Sequence, residues 1–403
     1  MRLKHKKMAE IYHVEVGFYQ TYHHGEHIGG DVFLSKRIPE ENRVLCVLSD
    51  GMGSGVKANV LATLTATISL NLSIEHKHAQ TIAEIIMKAL PVCSERKISY
   101  STYTIVDVNG AEDAVSILEY DNPQTIVMRS YRVLEPNWEK VKFENSTADQ
   151  RFQDLNMVTF TPQLEDRIIF CSDGVTQSGL GKGLVTGWGR NNLREEVRNI
   201  ITDNHSISAS ELAEKIVKKA AANDLHVPKD DISCAVIYFR EPRRTMLCSG
   251  PPLNPEKDAD FAEKLRSFAG RKIVSGATTT EIISRELKRT VIDEPIVDHT
   301  LPPMSRMEGI DLVTEGVLTL SKVIHLLVNV VTPNYQFGNG PADKVCKLLL
   351  DSDEIHILVG TKINADNLDL SLPVEVEIRK NIIQRVAKVL MDKYMKVVHL
   401  EFM

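Results

Sequence analysis

The sequence has no apolar run approaching the roughly 18 residues that a membrane-spanning helix needs. It has no C-x-x-C pair, and its six cysteines are scattered. Cys46, Cys171 and Cys234 sit inside apolar, strand-like runs, which reads as buried, reduced thiols of a cytosolic protein. It has no basic stripe, and its net charge is −6, so nucleic acid is not expected as the main partner. Met1-Arg2-Leu3-Lys4-His5-Lys6-Lys7 is basic, but no apolar segment follows, so it does not read as a secretory signal. Internal repeats and low-complexity segments are absent. What remains is ordinary for a globular chain, with 43% hydrophobic and 25% charged residues. At 403 residues it is too long for one core, and two or three domains are expected.

The first part alternates blocks of strand and helix. Ile11 to Phe18 and Arg43 to Leu48 read as strands, the second running into Ser49-Asp50-Gly51. Val56 to Leu72 and Ala79 to Leu90 have helical spacing, and Pro91 ends the second. Thr102 to Val108, Ala114 to Glu119 and Thr125 to Tyr131 read as an antiparallel meander, with Asn109-Gly110 and Asp121-Asn122-Pro123 as turns. Arg167 to Cys171 is a strand, Asn192 to Ile201 and Ser210 to Ala222 are helices, and Ile232 to Phe239 is a buried strand. Helices at both ends of a β-rich middle predict a sandwich with sheets inside and helices outside.

A break is expected at Arg240-Glu241-Pro242-Arg243-Arg244. Beyond it strands and helices alternate: Lys272 to Val274, Thr278 to Lys288, Gly316 to Leu327, Ala342 to Leu350, Glu354 to Val359, Arg379 to Tyr394 and Val397 to Phe402. That rhythm predicts a parallel or mixed sheet covered by helices. The expected domains are therefore 1–242, α+β, and 243–403, a smaller α/β domain of unassigned function.

Four acidic corners carry the chemistry: Gly29-Gly30-Asp31, Ser49-Asp50-Gly51-Met52-Gly53-Ser54-Gly55, Ser172-Asp173-Gly174 and Asp230-Asp231-Ile232-Ser233. In three of them an apolar strand starts or stops at an aspartate. A carboxylate at the end of a buried strand is costly unless compensated. Several meeting at one rim would need a cation. Aspartate oxygens are hard ligands, and no cysteine or histidine lies inside these motifs, so Mg²⁺ or Mn²⁺ fits better than Zn²⁺. A glycine after Asp50 would let its own carbonyl turn to the metal. Two ions about 3.5–4 Å apart can hold a bridging water, lower its pKa and clamp a phosphoryl group. Gly53, Ser54 and Gly55 lead into the helix at Val56, whose amides can receive an anion, with Lys57 adding charge nearby. The competing reading is four ordinary polar turns, since Asp-Gly is a common turn pair.

These motifs resemble the PPM/PP2C-type phosphatases, in the bacterial branch typified by the sporulation phosphatase SpoIIE and the stress-response regulator RsbU. The resemblance covers about residues 11 to 240 and is most specific over Ser49 to Ala58; Tyr103 to Val108 resembles the branch's central strand. It implies a four-layer αββα sandwich and a protein serine/threonine phosphatase acting through a water activated by two Mn²⁺ or Mg²⁺ ions. By the same resemblance Asp31 binds one metal, Asp50 bridges both, the Gly51 carbonyl completes one sphere, and Asp173 and Asp230 bind the other, with Asp231 the less favoured of its pair. The implied partner is a phosphoprotein, a small STAS-domain regulator in this branch. A cytoplasmic location is expected, and the oligomeric state is open, a dimer included. The arginine near the N-terminus that holds phosphate in the eukaryotic members is not assigned to a residue here, and no histidine is clearly placed as general acid. Relatives carry a sensor domain before the phosphatase; only a short segment precedes the first strand here, so regulation is expected from elsewhere. A different class of reading is a binding module with a weak or dead site governed by its C-terminal domain. Retention of Asp31, Asp50, Asp173 and Asp230 favours activity.

Other features carry less. Tyr22-His23-His24-Gly25-Glu26-His27 lacks the spacing of a zinc helix or finger and reads as a polar loop near the site. Gly179 to Arg190, with Lys182, reads either as a flap over a phosphoprotein or as a surface loop. Ser275-Gly276-Ala277-Thr278-Thr279-Thr280 joins a strand to a helix; a capped turn is favoured there over a phosphate site.

Overall fold

The computed structural model describes residues 12–53, 55–89, 101–141, 155–298, 300–331, 335–361 and 373–403. The Ile11 start of the first strand, Ser54, Cys93 and the basic N-terminus lie outside the described residues. The chain divides into two compact units, Met1–Glu241 and Pro242–Met403.

The first unit holds two antiparallel sheets. One is built from β1 (His13–Thr21), β6 (Ile126–Arg129), β7 (Arg132–Leu134), β10 (Asp166–Cys171) and β11 (Ile232–Arg240), in the order β1-β11-β10-β6-β7. The other has β2 (Asp31–Ile38), β3 (Arg43–Gly51), β4 (Ser101–Asn109), β5 (Ala114–Tyr120), β8 (Glu139–Lys140) and β9 (Leu155–Phe160), in the order β2-β3-β4-β5-β9-β8. Alternation along the strands explains the layers. On β10, Ile168 and Phe170 enter a core shared with Cys46 and Leu48 of β3 and Val115 and Ile117 of β5. Ile169 and Cys171, on the opposite face, pack against α4 (Gly189–Asp203) and α5 (Ala209–Asn223). A strand covered on both faces has no polar side, which is why these runs read as continuously apolar. Stacked rings of Phe18 and Phe33, 4.7 Å between centroids, join the sheets.

The outer face of the second sheet is covered by α1 (Gly55–Ile74) and α2 (Ala79–Ala89). The buried stripe of α1 is made of small residues, Ala58, Ala62, Ala66, Ser69 and Ser73. That lets the helix lie close to β3; a Cβ on Gly51 would come 2.1 Å from the Ala58 carbonyl oxygen. Thr65, Ser69 and Ser73 donate their hydroxyls to carbonyls four residues back, so no donor is wasted on this buried face. The result is the four-layer αββα sandwich. It corrects one expectation: β6 does not continue the meander of β4 and β5. After Pro123 the chain crosses to the other sheet, and the buried Glu119 accepts the Thr125 amide at 2.7 Å at the crossing.

Several elements were not anticipated. They are β2, the short β7 and β8, β9, and a one-turn helix α3 (Asp173–Thr176). In the second unit they are β12 (Arg244–Ser249), α6 (Asp258–Ser267) and the three strands between α7 and α8 given next. The unit continues with β13 (Arg271–Ser275), α7 (Ala277–Leu287), β14 (Val291–Asp293), β15 (Ser305–Met307), β16 (Ile310–Thr314), α8 (Val317–His325), α9 (Pro341–Leu350), β17 (Glu354–Val359), α10 (Pro373–Asp392) and β18 (Val397–Phe402). Its sheet is mixed, in the order β14-β15-β16-β13-β12-β17-β18, with an antiparallel edge at β14 and β15. Helices cover both faces: α8, α9 and α10 share one core with Leu247, Ile273 and Ile357, while α6 and α7 share the other with Cys248, Val274 and Leu358.

Candidate active site

Four strand ends bring the acidic corners to one rim of the sandwich. Asp31 opens β2 and stands opposite Asp50 near the end of β3 in the antiparallel register. Asp173 follows β10, and Asp230 and Asp231 precede β11, which pairs with β10. The two later corners touch directly. A Cβ on Gly174 would fall 2.1 Å from the Asp231 carbonyl oxygen. Only glycine allows that approach without displacing backbone, so the Asp-Gly pair here has a packing reason as well as a turn reason.

The electrostatics are those of crowded, desolvated carboxylates. Asp31 is 4% exposed, and its Oδ2 has no hydrogen-bond partner among the described residues. Burial pushes its pKa up to about 8; the nearby Ser233 and Ser172 hydroxyls oppose the shift, and Asp231 and Asp230 add to it. Burial drives Asp50 well above the usual carboxylate range, reinforced by the charges of Asp31, Asp173 and Asp230. Asp230 rises to about 6, through burial and then Asp173. Like charges forced together out of water have two remedies, protonation or a cation.

Asp50, Gly53, Asp173 and Asp230 line one cavity of about 650 Å³. Its wall also includes Asn122 and Arg190. Gln177 fixes Asp173, its Nε2 donating to Oδ2 at 2.6 Å. Asp231 does not line the cavity. Its two oxygens accept the amides of His23 at 3.0 Å and Gly30 at 2.6 Å, so it ties down the loop that leads into Asp31. Lys57 is exposed on α1 and is not part of the wall, and Gly55 is buried at the helix start. The Gly51 carbonyl lies on the Gly30 side, 3.4 Å from where a Gly30 Cβ would stand.

The loop residues sort themselves by their bonds. Tyr22 to His27 is largely exposed and is anchored through backbone amides rather than imidazoles. Lys182 is pinned, its Nζ donating to the carbonyls of Asp224 and Val227. Arg190 sits at the start of α4. Its Nε and Nη2 donate to the carbonyls of Gln124 and Thr125 at 3.1 and 3.3 Å. Among the described residues it is the only lysine or arginine in the cavity wall. The sequence puts it at the end of a segment that reads as a flap or a surface loop; the fold brings it, at the start of α4, beside the β5–β6 crossing, a long-range contact that no local spacing signals. Asn122, read as a turn residue, also enters the wall.

Among the described residues no three carboxylate, imidazole or thiol groups close around a point to hold an ion by themselves. The donor set nonetheless fits hard divalent cations that keep part of their water. It has register-opposed carboxylates, an orphaned buried carboxylate oxygen, and no soft ligand.

A two-sheet sandwich flanked by helices, with aspartates gathered at the strand ends, defines the PP2C class of phosphatases. Residues 40–240, just under half of the chain, match the family described as Stage II sporulation protein E (SpoIIE), and over this segment the chain is similar to the SpoIIE-type PP2C phosphatases. None of the curated proteins matches it. Among solved structures it is similar to the phosphatase domain of the cell fate determinant SpoIIE from Bacillus subtilis, with 15% identity over 59% of this chain and 95% of that one and a TM-score of 0.44. The RsbU and RsbW domains of a Mycobacterium tuberculosis protein match at 13% identity, over 64% of this chain and 68% of that one, with a TM-score of 0.44. RsbX in complex with magnesium matches at 18% identity, over 56% and 96%, with a TM-score of 0.40.

Proposed function

We propose that the chain is a metal-dependent protein serine/threonine phosphatase that removes phosphate from phosphoserine or phosphothreonine of a regulatory protein. The observation that carries this reading is the cavity at the sandwich rim, where Asp50, Asp173 and Asp230 share one wall beside the desolvated Asp31. Asp31, Asp50 and the Gly51 carbonyl would hold one cation, and Asp50, Asp173 and Asp230 a second. When bound, Mg²⁺ or Mn²⁺ supplies positive charge for the phosphoryl oxygens and a water acidic enough to attack phosphorus.

The chain's own groups supply orientation. Gln177 donates to the Asp173 carboxylate and so orients it. Asp231, through the His23 and Gly30 amides, fixes the backbone entering Asp31. Arg190, braced by two carbonyls, is positioned to take a phosphoryl oxygen, as a guanidinium does well. No histidine lines the cavity among the described residues, so the leaving serine or threonine oxygen takes its proton from solvent in this reading. The partner is a phosphoprotein, for which a STAS-domain regulator is the first candidate, and the location is cytoplasmic. No helix among the described residues is long and apolar enough to cross a membrane.

Phosphoserine, phosphothreonine and phosphotyrosine peptides assayed with Mn²⁺ test the reading. Phosphate release from the first two, lost in Asp50→Asn, supports it. Release from phosphotyrosine alone, or equal release by Asp50→Asn, contradicts it.

A further inference from the structure

The second unit has its own candidate site, at the carboxyl edge of its parallel strands. Those strands lie in the order β16-β13-β12-β17-β18. Counted along the chain this is 3-2-1-4-5, with the direction of winding reversing between β12 and β17. Open α/β sheets take ligands outside the carboxyl ends of the strands, at such a reversal. Three of these strand ends carry a small polar turn, Ser249-Gly250, Ser275-Gly276 and Thr314-Glu315-Gly316, and a fourth runs into Gly360.

The register aligns Ser249, Ser275 and Thr314 across three neighbouring strands. Two residues earlier, Leu247, Ile273 and Leu312 all enter the core shared with α8, α9 and α10. By the two-residue period of a strand, the three hydroxyls face the same way. Ser275 and Thr314 donate to the Glu315 carbonyl at 2.8 and 3.0 Å. Ser249 is fully buried, and its Oγ has no partner among the described residues. Thr319, in the first turn of α8, is likewise fully buried with an unpartnered Oγ1. Buried hydroxyls are nearly always satisfied, so two orphans at one edge point to something that is missing.

The surroundings favour an anion. α7 and α8 both begin at this edge, and neither has a side-chain cap. Their caps meet: a Cβ on Gly316 would lie 3.4 Å from the Gly276 Cα, and Gly276 has φ +122°, a conformation suited to glycine. Two helix N-termini therefore converge. The Arg379 Nη1 lies 2.9 Å from where a Gly250 Cβ would stand, which places a guanidinium at the reversal point. Glu315 accepts its neighbour's Gly316 amide through Oε2, so one acceptor stands at the same edge for a ligand hydroxyl.

We propose that this edge binds a nucleoside phosphate, with its phosphate among the α7 and α8 N-termini, Arg379 and the Ser249 hydroxyl, and its sugar hydroxyls toward Glu315. The site is separate from the acidic cavity and does not depend on the phosphatase reading. Isothermal titration of the full chain in EDTA tests it, with the four ribonucleoside diphosphates, the matching nucleosides and inorganic phosphate. At least one diphosphate is expected to bind, and its nucleoside to bind about tenfold more weakly or not at all. Arg379→Gln should weaken binding about tenfold and Ser249→Ala about threefold, while Asp50→Asn leaves it unchanged. Melting curves check that the variants fold, and Ser249→Ala, which removes one orphaned oxygen, serves alone if Arg379→Gln does not. The proposal is overturned if no diphosphate binds at millimolar concentration, if both variants bind like the parent, if Asp50→Asn abolishes binding, or if inorganic phosphate binds as tightly as any nucleotide.

Discussion

At the scale of single residues, the two neighbours Asp230 and Asp231 do different work. Asp230 faces the cavity beside Asp173, whereas Asp231 is 2% exposed and accepts two backbone amides. Asp230→Ala should therefore cost activity and little stability, with turnover down by at least about 10²–10³-fold, the scale for one lost electrostatic group. Asp231→Ala should instead leave the Gly30 amide unpaired, costing about 1–3 kcal/mol and lowering the melting point. Paired melting and p-nitrophenyl phosphate assays separate the two; equal stability of both variants would contradict the division. Glu119 gives a pH signature. Burial lifts its pKa to about 7 from 4.5, against the pull of the Thr125 hydrogen bonds and Arg190. The folded state then holds the proton more tightly than the unfolded chain. Stability from this group is present below about 4.5 and is lost as pH rises toward about 7, by up to about 3 kcal/mol. Glu119→Gln, neutral throughout, should gain on the parent between pH 4.5 and 7 and hold that lead above. Melting in EDTA at pH 5 and pH 8 checks it; a pH-independent difference would exclude Glu119 as the source.

At the scale of elements, what could be read in advance depended on whether the signal was local. β3, α2, β4, β5, β10, α5 and β11 carry their periodicity in their own residues, whereas α1 was legible as a helix but not by its face, since Val56, Val60 and Leu64 are exposed and its buried stripe is of small residues. β2 was missed because Val32 to Ile38 mixes apolar, serine, lysine and arginine residues on an edge strand, half-buried at most. β12 was missed because Arg240 to Arg244 looked like a linker, yet only residues 241 to 243 separate it from β11. Asp50 and Asp173 stood out because an apolar strand stopping at Asp-Gly is a pattern within a few residues, and Asp230 because it leads directly into an apolar strand. Arg190 and Asn122 were not, because their role depends on α4 lying beside the β5–β6 crossing. The contact between the Asp173 and Asp231 corners is of the same long-range kind. Gly174→Ala tests it. The added methyl meets the Asp231 carbonyl at 2.1 Å, an overpacking cost of about 1–3 kcal/mol, or a melting point lower by roughly 2–12 °C for a unit of this size. Turnover should fall with it, since the turn carrying Asp173 must shift. A variant as stable and active as the parent would mean the close approach is not maintained.

At the scale of the whole molecule, each unit buries its own apolar clusters: Leu48, Phe170 and Ile237 belong to the first, and Leu247, Leu320 and Ile383 to the second. Every acidic corner lies before residue 242. Residues 1–241 are therefore expected to fold alone, with cooperative melting, and to hydrolyse a small phosphoester; an insoluble fragment would mean that the cores depend on each other. The central claim is that the aspartates at the sandwich rim work by holding divalent cations. It is tested most directly by p-nitrophenyl phosphate hydrolysis with the full chain stripped in EDTA and then titrated with Mn²⁺ or Mg²⁺, alongside Asp50→Asn. The account predicts background rates in EDTA, saturable recovery with added metal in the parent, and no recovery in the variant. Full activity in the stripped protein, or equal recovery in Asp50→Asn, would contradict it.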